Sequence, residues 1–406
     1  MEQIETLIIG GGQAGLTMSD MLRRRDCPHL VLERHRIAER WRSERWDGLR
    51  FQFPNWSVRL PDFPFAHNQP DGFATSGDIL DFILGYAAAI SAPVRDGVAV
   101  TGLRRHSERT GFIADTSAGP FTARNVVVAT GPFQRPAIPA RFRDGIGGLF
   151  QVHSSAYRAP DQLPPGAVLV IGAGASGAQI AEELARAGRA VFLAVGNHRR
   201  MPRRYRGRDL IGWLETMGLD QTTVAQRGPV RALPLITGAY GGHTINFRDF
   251  AARGITLLGR VETARDSVLD ITSDLAESLA GGDTAYHGFL DEVDAYIARH
   301  GLDCPAEPGA RATWADPACL THPIRRLELR AAGISAVIWA TGYAFDYGWI
   351  DAPVLDARGE PVHRDGVSDV PGLYFLGLPW LSRRNSSFLS GVGDDAARLA
   401  GCIAAR

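Results

Sequence analysis

One short pattern constrains this chain more than any other. Gly10-Gly11-Gly12-Gln13-Ala14-Gly15 fits G-x-G-x-x-G, and Gly172-Ala173-Gly174-Ala175-Ser176-Gly177 fits it again. Glycine at the three fixed positions allows a tight turn, close approach of the backbone to a pyrophosphate, and close contact between helix and strand. The helix that follows offers unpaired N–H groups and the positive end of its dipole to phosphates. A lone match carries little weight in a chain with 46 glycines. Here each copy follows an apolar strand and opens a helix, which is the context the motif needs.

The flanking segments repeat as well. Thr6 to Ile9 reads as a buried strand, Ala14 to Arg25 as a helix with Arg23, Arg24 and Arg25 in its last turn, and Leu30 to Glu33 as a second strand. Together they make one βαβ unit. The second copy runs strand Ala167 to Ile171, helix Ser176 to Ala187, strand Ala190 to Val195. Each half then returns through the same tripeptide, Ala129-Thr130-Gly131 and Ala340-Thr341-Gly342. The second span is the longer, and its excess falls between Met201 and Arg299, where Phe289, Val293 and Tyr296 mark one amphipathic helix. A capping box, Thr75 with Asp78, precedes a helix at Ile79 to Ala89. Short β segments are expected at Val98 to Val100, Phe112-Ile113 and Phe121, and a buried strand at Val126 to Ala129. Late strands at Ala336 to Ala340 and Leu373 to Leu376 and a helix at Asp394 to Ala405 complete the reading.

These elements predict an α/β fold of two Rossmann-like dinucleotide-binding domains, the second with an insertion at about residues 205–300. The first domain is expected over residues 1–150 and 340–406, and the second over 151–339. The stretch from Pro132 to Pro165, rich in proline, glycine and polar residues, is the expected crossing. A third near-match, Gly391-Val392-Gly393-Asp394-Asp395-Ala396, lacks a preceding strand and is not read as another nucleotide turn.

The residue ending the second strand of each unit separates the two turns. Glu33 stands there in the first, and a carboxylate at that point accepts both hydroxyls of an unmodified adenosine ribose, as in FAD or NAD. The same offset in the second unit lands on Val195, followed by Asn197-His198-Arg199-Arg200. Arginines without a carboxylate suit a 2′-phosphate, so Arg199 and Arg200 point to NADPH. The competing reading is a solvated basic turn continuous with Arg203-Arg204-Tyr205-Arg206.

Composition narrows the class further. Lys plus Arg and Asp plus Glu are both 44, so no global field favours nucleic acid or an anionic membrane. No apolar stretch is long enough to span a bilayer, and the first residues lack the basic leader of a signal peptide. Cys27, Cys304, Cys319 and Cys402 are scattered without a Cys-x-x-Cys pair, which speaks against a redox dithiol or zinc site. A reduced, cytoplasmic setting is expected.

With both turns and both tripeptides in place, the chain resembles the class B flavin-containing monooxygenases, and within them a bacterial flavoprotein branch that carries the run Pro202 to Asp209. The resemblance rests on Gly10 to Gly15, Glu33, Trp41, Ala129 to Gly131, Gly172 to Gly177 and Ala340 to Tyr343. It departs at the family fingerprint: Gly148 stands one position too far from His153, and the aromatic residue before it is missing. The resemblance implies an FAD-dependent NADPH monooxygenase that inserts one oxygen atom from O2 into a small organic substrate through a flavin hydroperoxide. N-oxygenation, S-oxygenation and Baeyer–Villiger chemistry all stay open. The alternative is an NAD(P)H-dependent flavin oxidoreductase without oxygen insertion. By the same resemblance Asn55 lies near the flavin edge as the catalytic candidate, against a plain turn residue after Pro54. Gln13, Ala14, Arg34, Trp41, Arg42 and Val98 join the flavin set. Ala175 and Ser176 join the second nucleotide's, and Tyr343 follows its tripeptide. Ser390 and Gly391 would offer helix N–H groups to the reduced flavin. Substrate contacts are expected from Phe51 to Phe65 and Leu235 to Phe247, and a homodimer is compatible with all of this.

Overall fold

The computed structural model describes residues 1–107, 110–228 and 234–406. Two parallel-rich sheets organise them, each built around one glycine turn. In the first, the strand Glu2–Ile9 lies between His29–Leu32 and Phe121–Val128, parallel to both. Val94–Arg95 extends one edge, and Phe112–Thr116, Val100–Arg105 and Ile350–Asp351 extend the other. Leu373–Phe375 also pairs with Phe121–Val128. The second sheet is wholly parallel, in the order Phe150–His153, Ile334–Trp339, Ala167–Ile171, Val191–Ala194, Thr256–Leu258. Ala167–Ile171 is a wholly buried aliphatic run and Glu2–Ile9 ends in one, Leu7 to Ile9, as a sheet covered on both faces requires.

The helices that follow the turns, Gln13–Arg23 and Ala175–Arg186, start within a residue of their expected positions. The capping box forms: Thr75 Oγ1 accepts from the Asp78 N–H at 3.0 Å, and the Asp78 carboxylate accepts from the Thr75 N–H at 2.8 Å. Phe121 and Val126 to Ala129, read apart in the sequence, form one strand ending at Val128. Polar Arg124 and Asn125 break its apolar pattern, yet the ladder to Glu2–Ile9 runs straight past them. Val98 is not in a strand; its N–H donates to the Glu33 carbonyl at 2.9 Å.

The two tripeptides explain why the repeat exists. Gly10 has φ +114° and Gly172 φ +103°. A Cβ on Gly10 would lie 2.6 Å from the Ala129 carbonyl oxygen, and one on Gly172 would lie 2.5 Å from that of Ala340. A Cβ on Gly15 or Gly177 would strike the carbonyl oxygen of Gly10 or Gly172, at 1.9 and 1.8 Å. Each turn is thus folded onto itself and onto its returning tripeptide with no room for a side chain.

The inserted segment packs on the second domain and reaches the first. Its main element is the helix Leu275–His300, which buries Tyr286, Phe289, Leu290, Val293 and Ile297 against Met201, Tyr205 and Trp213. The run Pro202 to Asp209 forms a tight hairpin, Arg204–Tyr205 against Arg208–Asp209, turning through Arg206 and Gly207, both at positive φ. At its base Arg203, 2% exposed, donates from Nε to Asp209 at 2.8 Å and from Nη1 to the Gln52 carbonyl at 2.8 Å. The basic run is therefore a staple between the insertion and the loop that holds Gln52.

Removing one partner strands the other charge in the interior. Asp209→Asn is expected to lower stability by about 3–5 kcal/mol, read as a large drop in the chemical-denaturation midpoint. A shift equal to that of an exposed control such as Asp144→Asn would rule out the staple.

Candidate active site

Both glycine turns open into one cavity of about 1250 Å³. That exceeds the roughly 300–1,000 Å³ typical of a pocket for one small ligand. Gly10, Gly12, Gln13 and Ala14 line it from the first turn, and Ala173, Gly174, Ala175 and Ser176 from the second. Gly12 and Gly174 are the N-caps of their helices, and neither helix has a side-chain cap. A Cβ on either would meet nothing within 4 Å. Each helix thus presents uncapped N–H groups to the open cavity, an arrangement that suits phosphates. The residues present fit two dinucleotides.

The first turn is held by its acid. The Glu33 carboxylate accepts from the Gly11 N–H at 2.7 Å and from the His35 N–H at 3.0 Å, while facing the cavity. Arg34, Trp41, Val98, Ala129, Thr130 and Gly131 line the same cavity. Trp41, Phe51, Phe53 and Phe388 follow one another at ring separations of 5.6, 5.3 and 5.0 Å, an aromatic wall across the first domain.

Four expected contacts fall elsewhere. Arg42 is exposed and outside the cavity lining, because it follows Trp41 on the short helix Glu39–Ser43 and projects about 100° away. Asn55 is buried outside the lining. Its Nδ2 donates to the Gln69 carbonyl at 3.0 Å and its N–H to that of Gly72 at 2.9 Å, so it fastens a loop. Ser390 and Gly391 also stand behind the wall formed by Ser387, Phe388 and Leu389. The N–H groups of Gly391 and Val392 already donate to the Phe388 carbonyl, and Asp394 and Asp395 occupy the first turn of their helix.

On the second side, Asn197, His198 and Arg199 line the cavity, but Arg200 does not. The two arginines are neighbours on one short strand, so their side chains take opposite faces. Arg200 pairs with Asp283 at 2.6 Å and lies 4.0 Å over the Tyr286 ring. Gly172, Gly177, Ala340, Thr341 and Gly342 form the scaffold behind the turn, whereas Tyr343 reaches the cavity. Of the two expected substrate segments, only Phe51 to Phe53 and Leu235-Ile236 line it.

Sequence reasoning missed three contributors. Arg45 enters the cavity between the Trp41 and Phe133 rings, 5.0 and 5.7 Å from their centroids. Gly377 lets the chain after Leu373–Phe375 approach the first turn; a Cβ there would lie 2.6 Å from that of Ala14. Gln13 Nε2 donates to the Ser387 carbonyl at 2.9 Å, pinning a C-terminal loop that brings Arg384 to the cavity. The only sequence signal among these was the glycine at the end of an apolar strand.

The two halves meet at a two-strand hinge. Arg135–Pro136 leaves the first sheet, Tyr343–Ala344 returns, and the segments pair antiparallel. His153 braces it. The Ser155 N–H donates to Nδ1 at 3.1 Å, so Nδ1 is an acceptor and Nε2–H donates to the Gly342 carbonyl at 3.0 Å. Burial holds this imidazole neutral, below its ordinary pKa. The His153 side chain stands outside the cavity lining.

A fold with paired glycine turns facing one cavity defines a two-nucleotide flavoprotein oxidoreductase. Residues 7–216, a little over half of the chain, match the pyridine nucleotide-disulphide oxidoreductase family. The chain belongs to that family, which uses a flavin with a pyridine nucleotide. A CzcO-like oxidoreductase of Geobacillus kaustophilus is 33% identical over 399 residues, 98% of this chain and 97% of that relative. The probable indole-3-pyruvate monooxygenase YUCCA1 of Arabidopsis thaliana is 31% identical over 198 residues, 47% of each chain. Among solved structures, the flavin-containing monooxygenase of Stenotrophomonas maltophilia matches with a TM-score of 0.68 at 19% identity, covering 100% of this chain and 99% of that one.

His29, His198 and His363 share the situation of His153: burial pushes each below the ordinary imidazole value. The folded state keeps them neutral, whereas the unfolded chain takes up protons below about pH 6.5. Their contribution is therefore complete above that pH and lost as pH falls through it. Thermal unfolding midpoints should fall between roughly pH 7 and 5.5, and His153→Gln should flatten part of the slope. A midpoint constant over that range would contradict the neutral assignment.

Proposed function

We propose that this protein is an FAD-dependent, NADPH-consuming monooxygenase that transfers one oxygen atom from O2 to a small organic molecule with an apolar body. The observation that carries the reading is the single cavity shared by both turns: two nucleotides anchored there can bring their reactive rings together. The likeness to relatives named as monooxygenases supports oxygen transfer over simple reduction. None of the four cysteines lines the cavity, so no dithiol stands ready to relay electrons to a disulfide.

The chain's own residues supply binding, orientation and shelter. The N–H groups after Gly12 and Gly174 hold the two pyrophosphates, and Glu33 accepts the ribose hydroxyls of FAD. Val195 is fully buried and offers no carboxylate to the second ribose, while Arg199 faces the cavity as a cation for the 2′-phosphate. The aromatic wall from Trp41 to Phe388 gives the flavin an apolar face and keeps water from the reacting atoms. The bound flavin supplies hydride acceptance and the reaction with O2; the protein supplies the rest.

The deciding experiment follows 18O2 into product across a panel of sulfides, amines and ketones, with hydrogen peroxide measured alongside. Labelled product with NADPH consumed in equal amount is expected. Full conversion of consumed O2 to peroxide with every compound would instead establish the reductase alternative. For the nucleotide, Arg199→Ala should raise the KM for NADPH about tenfold or more, leaving that for NADH nearly unchanged. Arg200→Ala should show no such selectivity, since its partner is Asp283.

A further inference from the structure

Charges of both signs line the cavity near the first turn, where Arg34, Arg40, Arg45 and Arg50 stand among the acids. Its acidic lining residues are Glu33, Glu39, Glu44 and Asp346, all on the first domain and its hinge. Glu39 and Glu44 are paired with Arg36 and Arg40, and Glu33 is bound to the turn. Arg199, Arg227 and Arg384 also line it, and among the described residues no carboxylate from their segments does.

Arg384 stands out from its neighbour. Arg383 pairs with Asp394 at 3.0 Å and donates to Gln221. The half-buried Arg384 side chain forms no ion pair among the described residues, although its backbone N–H donates to the Thr222 carbonyl. Asp220 and Glu292 are acids whose charges act on it, and neither pairs with it or lines the cavity. Burial and the nearby Arg199 both push the guanidinium below the ordinary arginine range. Arg227 lies 4.8 Å over the Trp380 ring. A half-buried cation facing a second cation costs free energy unless a negative group completes the site. The same cavity is lined by apolar Phe53, Phe388, Trp380, Leu235 and Ile236.

We infer that the molecule to be oxidised is an organic acid, with its carboxylate bound by Arg384 and Arg227 and its apolar body lying against the Phe53–Phe388 wall. Arg199 is left to the nucleotide, so that two negative groups meet these cations. A planar guanidinium suits the job because it binds a carboxylate through two parallel hydrogen bonds. The inference deepens the oxygen-transfer reading and rests on it for the fate of the acid, not for its binding.

The test is therefore a binding measurement. FAD-loaded protein is titrated calorimetrically with phenylacetate and, separately, with 2-phenylacetamide, which keeps the shape and removes the charge. Phenylacetate should bind about tenfold tighter or better. Arg384→Gln should abolish that preference, Arg384→Lys should keep part of it, and Arg227→Gln should weaken it. NADPH affinity should stay within about twofold in all three. Melting temperature and flavin content establish that each variant is folded; should Arg384→Gln not fold, the comparison of acid with amide on the unmodified protein and Arg227→Gln still decide. Equal binding of acid and amide overturns the inference. So does an Arg384→Gln variant that loses NADPH but not NADH, because Arg384 would then belong to the 2′-phosphate. Neither result depends on oxygen transfer, so a failed 18O experiment and a failed titration remain distinguishable.

Discussion

The rest of the structure depends on a contact between two pieces of backbone. The first glycine of each turn lies against the carbonyl of the alanine that opens the returning tripeptide, closer than any side chain permits. That contact fixes where the strand ends, where the helix begins and how its N-terminus is aimed. It also ties residues more than a hundred positions apart, so each half closes around its turn before a nucleotide arrives. The same geometry occurs twice, with glycine φ values of +114° and +103°, because the same problem is solved twice: a phosphate must approach bare backbone.

This is why the fold was legible and much of the site was not. A close backbone approach demands glycine at fixed spacing, and an apolar strand demands aliphatic residues in sequence; both leave local marks. Glu33 was found because its place follows from the strand's end. Arg45, Gly377 and Arg384 reach the cavity through tertiary packing, from segments with no shared local pattern. Arg200 misled for a related reason: adjacency in sequence means opposite faces on a strand, so only one of Arg199 and Arg200 lines the cavity. Asn55 looked like a functional amide after a proline, yet its hydrogen bonds go to Gln69 and Gly72. The long helix Leu275–His300 was seen only in its second half. Gly281 and Gly282 weaken its first half as helix formers, and Gly282 is retained where a Cβ would come within 2.5 Å of His198.

The Pro202 to Asp209 run shows how a conspicuous motif can be functional without touching a ligand. Its arginines suggest phosphate binding by charge alone. None of them lines the cavity, and each has another task. Arg203 is buried against Asp209 and Gln52, Arg208 lies 5.1 Å over Trp213, and Arg206 turns the hairpin. The bond from Arg203 to Gln52 matters most, because Gln52 stands between Phe51 and Phe53 of the aromatic wall. The insertion thus sets the position of that wall.

Hinge, staple and loop together limit how the two turns can move relative to each other. The paired strands Arg135–Pro136 and Tyr343–Ala344 restrain one side, and Arg203 joins insertion to wall on another. Gln13 holds the C-terminal loop through Ser387. A cavity enclosed by three such ties keeps its width, which favours a site that receives a hydride donor and its acceptor in succession over one that must open to a protein partner. The lining acids stand on the side of the first turn, where Glu33 is hydrogen-bonded to the turn and Glu39 and Glu44 are paired with arginines, whereas Arg384 lines the cavity without an ion pair among the described residues. Specificity in such a cavity comes from which group is left unpaired when the wrong molecule binds, and here the unpaired group is that guanidinium.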